Sequence, residues 1–390
     1  MSFLFPLKKP KTLNEMVFAL NEWAQRLDHI PPESGDSEAR RSSADEVGKL
    51  LANIRKAAWA RSSDSTAQPD PEQLAALAKE VYSTDVIIPL LRNVMYLDFD
   101  ARKDVTSFVA FILKRQPTVD YLQHRSTVLF PILMKQAGTP EIHRTACQVI
   151  REFARHEALC SQLMNQQCFW LFFGHIDDVE FEVATDNFST LQEILRNYPE
   201  LTARFLNRNT DYFMKCVNGL ILSDGYVAKR QALRLLFHLI RQQRNHKFLL
   251  AYVDSLESLK LIMDQLRCKS KNICFDAFQI FKIFVANPNK QQAILNVLIR
   301  NKRQLVEVLQ SPHTLADRHE NIQYQKEREY VKRKILSFPD IDTSNPAKQR
   351  THQTHPLHQA YPPPNNHPHS QHSRSQPQPH PSAQSQRVPQ

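Results

Sequence analysis

Four basic side chains recur at helical spacing along one short stretch of this sequence. In Tyr226–Arg241 (YVAKRQALRLLFHLIR) they are Arg230, Arg234, His238 and Arg241, at spacings of four, four and three. Wound as an α-helix, that spacing puts all four on one face, beside Tyr226. Val227, Leu233, Leu236, Leu239 and Ile240 fall on another face. Two readings fit. A charged helical stripe is most often a solvated surface. A row of guanidinium groups also suits a carboxylate, which arginine binds through two parallel, charge-assisted hydrogen bonds. The second reading makes the stripe a dock for an acidic or carboxyl-terminal peptide.

The residue types that carry catalysis are scattered elsewhere. None of the glycine-bearing nucleotide or nucleophile motifs occurs, and neither does His-Glu-x-x-His. With 6 Gly in 390 residues, a phosphate-cradling loop has little raw material. Asp98-x-Asp100 resembles the start of a calcium loop but lacks its glycine and closing glutamate, so both aspartates read as helix N-terminal residues. Cys147, Cys160, Cys168, Cys216, Cys268 and Cys274 form no Cys-x-x-Cys pair, and most fall in apolar helical patterns as small buried side chains. Seven histidines, from His352 to His380, lie in a terminal segment at irregular spacing without flanking ligands, which favours a solvated tail over a metal site. No catalytic residue, cofactor or metal ligand is assigned. An enzyme stays a rival reading only because catalytic sets assemble from distant positions.

These side chains need helices to position them. Scarce glycine and the lack of alternating β-branched runs point to an all-α chain. Asn14–Leu27 and Ala44–Trp59 read as amphipathic helices, separated by a polar linker over Pro31–Ser43 and followed by a second over Ser62–Asp70. From Pro71 to about Phe338 the helical pattern is nearly continuous. Its breaks are Gln116-Pro117, Gly138-Thr139-Pro140, Tyr198-Pro199, Ser223-Asp224-Gly225 and Asn287-Pro288-Asn289. Asn272–Val285 is apolar around most of its circumference, with Asp276, Gln279 and Lys282 as a narrow exposed strip, and reads as a core helix. Five helices end in similar phrases whose first residues are Ile112, Phe153, Ile194, Leu239 and Phe284, spaced 41, 41, 45 and 45 apart. A helical period of roughly 40–47 residues is the signature of HEAT and armadillo arrays. The expected architecture is an armadillo/HEAT-like solenoid, a curved rod whose concave surface binds other macromolecules. Residues 1–70 would cap it, 71–338 would form the scaffold, and 339–390, rich in His, Pro, Gln and Ser, would be a disordered tail.

The net charge is +10 with pI ≈ 9.3. That charge suits a basic protein surface. No lysine–arginine block with interleaved aromatics supports nucleic-acid binding. Met1–Pro10 lacks the apolar core of a signal peptide, and no run of about 18 apolar residues exists to span a membrane. A reduced cytoplasmic setting is the expectation.

Three segments carry a family resemblance. They are Tyr226-Val-Ala-Lys-Arg-Gln, Leu259-Lys-Leu-Ile-Met, and Phe281-Lys-Ile-Phe-Val-Ala-Asn-Pro-Asn-Lys290, joined by Leu97-Asp-Phe-Asp-Ala-Arg-Lys-Asp-Val105. Together they resemble the calcium-binding protein 39 family, the mouse-protein-twenty-five type of scaffold, from about Pro71 to Phe338 and more weakly from Met1. The tail lies outside the shared core and points to a fungal member, similar to the hypha- and conidiophore-development proteins. The resemblance implies a non-catalytic scaffold that binds sterile-twenty-type kinases or their pseudokinase relatives on its concave face and favours their active form. It also implies a pocket for a partner's C-terminal Trp-Glu-Phe-type motif. Tyr226, Arg230, Arg234 and Met263 match the pocket positions, and Phe181 matches a kinase-facing position. Gln243 and His246 depart from an Arg and a Phe of animal members, which leaves the choice of kinase open. The rival within the binding class is a helical-repeat module for other partners. An RNA-reading array would need one code repeated in every unit, and the corresponding helices here differ.

Overall fold

The computed structural model describes residues 12–31, 37–59, 71–177, 180–310 and 322–339. All belong to one compact unit that ends at Asp340. The polar segment Ser62–Asp70 and the tail beyond Pro339 lie outside the described residues.

Two helices open the chain, α1 (Leu13–His29) and α2 (Ser37–Trp59). Thr12 and Glu15 cap α1 reciprocally, each side chain accepting from the other's main-chain N–H. The second helix starts seven residues before the expected Ala44, so the stretch read as linker is half helical. Arg40 explains the difference. It stacks over the Tyr96 ring at 5.0 Å and donates to the Pro31 carbonyl, which fastens the first turns down.

Six units follow. The first holds α3 (Pro71–Thr84), α4 (Ile87–Arg92) and α5 (Phe99–Ile112), and the second α6 (Gln116–Ala137) and α7 (His143–Ala154). The third is α8 (Glu157–Met164), α9 (Leu171–Ile176) and α10 (Phe181–Asn197). Then come α11 (Pro199–Arg208), α12 (Thr210–Leu222) and α13 (Tyr226–Arg241), and α14 (His246–Asp254), α15 (Leu256–Gln265) and α16 (Lys271–Ala286). The last is α17 (Gln292–Arg300), α18 (Lys302–Gln310) and α19 (Ile322–Leu336). No strand occurs among the described residues. All five expected breaks separate helices or start one. Others were missed, because a capping serine such as Ser255 or a lone asparagine such as Asn209 ends a helix without any glycine or proline.

The final helix of each unit packs on the final helix of the next, giving a ladder α2–α5–α7–α10–α13–α16–α19. The repeated phrases are the C-terminal ends of α5, α7, α10, α13 and α16. The sequence period is therefore the period of the ladder. Salt bridges join its rungs: Arg55 to Asp104 at 2.7 Å, Arg144 to Glu182 at 3.3 Å, Arg230 to Asp276 at 3.2 Å and Lys282 to Glu327 at 2.6 Å. Apolar packing supplies the stability. Phe278, Phe281 and Phe284 of α16 are essentially inaccessible, and burying each is worth about 1.5–3 kcal/mol.

Two of the resembling segments have structural duties. Asp98 caps α5 by accepting from the Ala101 N–H at 2.7 Å, and Arg102 donates to the carbonyls of Val94, Met95 and Glu141. Asn287 closes the turn after α16 by accepting from the Asn289 N–H at 3.0 Å.

Candidate functional site

The basic stripe forms as its spacing requires. Ala228, Ala232, Leu233, Leu235, Leu236, Leu239 and Ile240 bury one side of α13, and Arg230, Arg234, His238 and Arg241 occupy the opposite side; Val227, expected on the apolar side, is half-buried and lies two turns before Arg234 on the side of the stripe. The ladder neighbour α16 meets the first part of that side. Arg230 Nε lies 3.2 Å from Asp276 Oδ2, so one charge of the stripe is already compensated. Arg234 is exposed and has no hydrogen bond or ion pair among the described residues. Arg241 sits over the Phe237 ring at 5.1 Å, and Lys282 of α16 reaches the same ring at 5.7 Å. His238 is half-buried. Burial, then the like charges of Arg196 on α10 and of Arg241, hold its imidazole below the ordinary value.

Tyr226 begins α13 and is 45% exposed. Asn272 of α16 donates to its hydroxyl at 3.2 Å. That bond is the main reason the hydroxyl ionises more readily than usual, with Ser270 and Arg230 helping. Met263 is half-buried on α15 at the edge of the core, and α15 packs on α16. Thus α16 is the common neighbour of Tyr226, Arg230 and the helix that carries Met263. Behind them the fully buried Tyr252 donates to Asn218 at 3.1 Å, and Asn218 donates to Ser258 at 3.3 Å, tying α14, α12 and α15 together.

Phe181 is apart from this group. It is the first residue of α10 and is 64% exposed. The ladder helices run parallel, since Arg144 and Arg151 of α7 meet Glu182 and Glu193 of α10 in the same order. Phe181 and Tyr226 therefore begin adjacent rungs at the same edge. Gln243 and His246 are exposed where α13 passes into α14.

Sequence reasoning missed the acidic and amide groups that answer the stripe. Asp276, Gln279 and Lys282, expected as a narrow exposed strip, are only partly exposed because they are engaged by their neighbours. Asp276 pairs with Arg230, and Lys282 donates both to Gln279 at 2.7 Å and to Glu327 at 2.6 Å. The signal was the rarity of three polar residues, spaced by three, on an otherwise apolar helix. Beside Lys282 runs a groove of about 480 Å³ between α16 and α19, lined by Ile283, Ala286, Glu327, Tyr330 and Val331. A larger cleft of about 750 Å³ lies between α2 and α5, and its charges are largely paired internally, as in Arg55–Asp104 and Lys103–Asp100.

One set of catalytic residue types does converge. His143 Nε2 is 3.2 Å from Asp186, and Cys147 lies one turn along α7. Cys147 is fully buried, and that burial pushes its thiol up to about 11, so it supplies no nucleophilic thiolate. No group of three or more His, Cys, Asp or Glu that could hold a metal occurs among the described residues. None of the described helices is long and apolar enough to cross a membrane.

A ladder of helical repeats with a partly exposed basic stripe on one rung defines a helical-repeat scaffold. Residues 3–339 match the Mo25-like family model, and the chain belongs to that family. It is 36% identical over 340 residues to the Mo25-like protein of Schizosaccharomyces pombe, covering 86% of this chain and 99% of that one. It is also 36% identical over 273 residues to the calcium-binding protein 39-like protein of Mus musculus, covering 69% and 80%. Among solved structures it is similar to a computationally designed armadillo repeat protein for modular peptide recognition, with TM-score 0.37 at 14% identity, covering 68% and 99%.

Proposed function

We propose that this chain is a non-catalytic cytoplasmic adaptor that binds a sterile-twenty-type kinase or pseudokinase and favours its active conformation. The α13–α16 seam takes a C-terminal peptide of Trp-Glu-Phe type, and the exposed Phe181 contacts the kinase domain. The observation that carries this reading is the stripe on α13, where Arg234, two turns from Tyr226, stands exposed with no carboxylate partner among the described residues. An exposed guanidinium without a carboxylate is free to take one from a partner, in a bond worth roughly 1.5–3 kcal/mol. Met263 and Tyr226 supply the apolar contact that an aromatic peptide end needs. Activation follows from differential affinity: the adaptor shifts the kinase population only as far as it prefers the active form. The partner in this proposal is a kinase of morphogenesis or polarity signalling.

The test is binding of a labelled peptide ending in Trp-Glu-Phe to the full-length protein, measured by fluorescence anisotropy beside Arg234→Ala and Met263→Ala. Both substitutions should weaken binding at least about tenfold, or roughly 1.4 kcal/mol. A folded wild-type protein that does not bind the peptide would remove the pocket. It would leave the scaffold reading with partners of another kind.

A further inference from the structure

Two cysteines bracket the turn that leads into α16. Cys268 follows the end of α15 and is half-buried, whereas Cys274 lies in the first turns of α16 and is buried. Both are free thiols. The Cys274 S–H donates to the main-chain carbonyl of Cys268 across 2.8 Å. A carbonyl oxygen is ~2.4 Å from its own Cα and a cysteine sulfur ~2.8 Å from its own, so the two Cα atoms are within about 8 Å. Disulfides span about 4.4–6.8 Å between Cα atoms, so a small shift of the turn closes the gap. Lys269 and Ser270 belong to neither helix, so the shift need unwind neither α15 nor α16, although it strains the cap that Ser270 makes.

The other cysteines have different neighbours: Thr190 for Cys147, Met164 for Cys160, Gln166 for Cys168 and Tyr212 for Cys216. The turn between the two sulfurs also holds the seam together. Ser270 caps α16 by accepting from the Ile273 N–H at 3.5 Å, and Asn272 reaches across to the Tyr226 hydroxyl.

We propose that Cys268 and Cys274 are a peroxide-sensitive dithiol whose disulfide closes over the start of α16 and loosens its seam with α13. In the first step the more accessible Cys268 sulfur attacks hydrogen peroxide. The O–O bond breaks, the sulfur becomes a sulfenic acid and one water leaves. In the second step the Cys274 sulfur displaces the hydroxyl of that sulfenic acid, and its proton leaves with the hydroxyl as a second water. Two thiols are oxidised by two electrons and one peroxide is reduced. Burial, and then the neighbouring Cys268, push the Cys274 thiol up to about 11, so at rest it is no nucleophile and acts only once Cys268 is a sulfenic acid whose departing hydroxyl takes its proton. The new bond removes the S–H donor from the Cys268 carbonyl and pulls on the segment that carries Ser270 and Asn272. The Asn272–Tyr226 bond weakens as a result. The effect on peptide binding rests on the function proposed above, whereas the disulfide itself does not.

The experiment treats the full-length protein with hydrogen peroxide, blocks remaining thiols and maps tryptic peptides by mass spectrometry. Trypsin cuts at Lys269 and Lys271, so the bond joins two peptides with the loss of two hydrogens. Expected is a Cys268–Cys274 linked pair that forms before the other cysteines react, is reversed by dithiothreitol, and is absent in Cys268→Ser and Cys274→Ser. Both thiols remaining free while other cysteines oxidise would overturn the proposal. In the same samples the affinity for the Trp-Glu-Phe peptide should fall on the order of tenfold on oxidation and recover on reduction. Cys268→Ser should hold its affinity in peroxide. A linked pair with unchanged affinity would overturn the coupling to the seam. A reduced protein that never binds the peptide would overturn the proposed function and leave the disulfide result to be judged by the peptide map.

Discussion

Arg230 and Arg234 differ by one turn of helix and by one carboxylate. Asp276 already occupies Arg230, whereas Arg234 has no such partner among the described residues. If the stripe captures a peptide carboxylate, Asp276→Asn should release Arg230 and tighten peptide binding several-fold, while Arg234→Ala weakens it. Titration calorimetry on the two variants reads opposite signs. His238 adds a pH dependence. Its imidazole is held below 6.5, so the unfolded chain binds the proton better than the folded one. Its contribution to stability is complete above pH 6.5 and declines as pH falls below it. A docked acidic peptide would raise the imidazole's proton affinity instead. Peptide binding should therefore strengthen between about pH 7.5 and about pH 6, and His238→Gln should flatten that slope. The stripe itself was legible from its four-four-three spacing, because a helix turns spacing directly into a shared face. Its pairing was not. Asp276 lies 46 residues from Arg230, and nothing local to either residue announces that they meet.

At the scale of elements, junctions carry the information. Gly138 ends α6, and a Cβ placed there would land on the ring of His175, whose Nε2 sits 2.9 Å from the Met134 carbonyl at the end of the same helix. Gly138→Ala should cost about 1–3 kcal/mol in urea unfolding. Adding His175→Ala should cost less than the sum of the two single changes, since the ring that clashes is gone. The final rung depends on Tyr324, which packs 5.0 Å from Phe275 and 5.2 Å from Phe278, and on Glu327. Burial opposes ionisation of Glu327, but the bonds from Lys282 and Gln323 prevail and hold its carboxyl below the ordinary 4.5. Tyr324→Ala should remove about 3 kcal/mol and expose α19 to limited proteolysis first. Helix existence was legible here from apolar periodicity, and so were the ends marked by proline or glycine. The start of α2 was not, because its first turns are held by Arg40 on Tyr96, a contact with a residue 56 positions away.

The whole molecule is a row of similar units, so its stability is a sum of intrinsic and nearest-neighbour terms. Native-state hydrogen exchange should show protection highest in α7, α10 and α13 and falling toward α1 and α19, where each unit has one neighbour instead of two. The repeat was the part of the fold that the sequence displayed best, since the returning phrases are the ends of rungs that touch. The ladder has one further property. At four of its six junctions the cation belongs to the earlier rung and the carboxylate to the later one, as in Arg55–Asp104, Arg144–Glu182, Arg230–Asp276 and Lys282–Glu327. The array therefore has a sign along its length. Two copies meeting edge to edge about a two-fold axis would set cation against cation and carboxylate against carboxylate. Head-to-tail contact alone would match them. A chain severed between two rungs should accordingly re-form from its own fragments in the original order, and resist pairing with a second copy of either fragment.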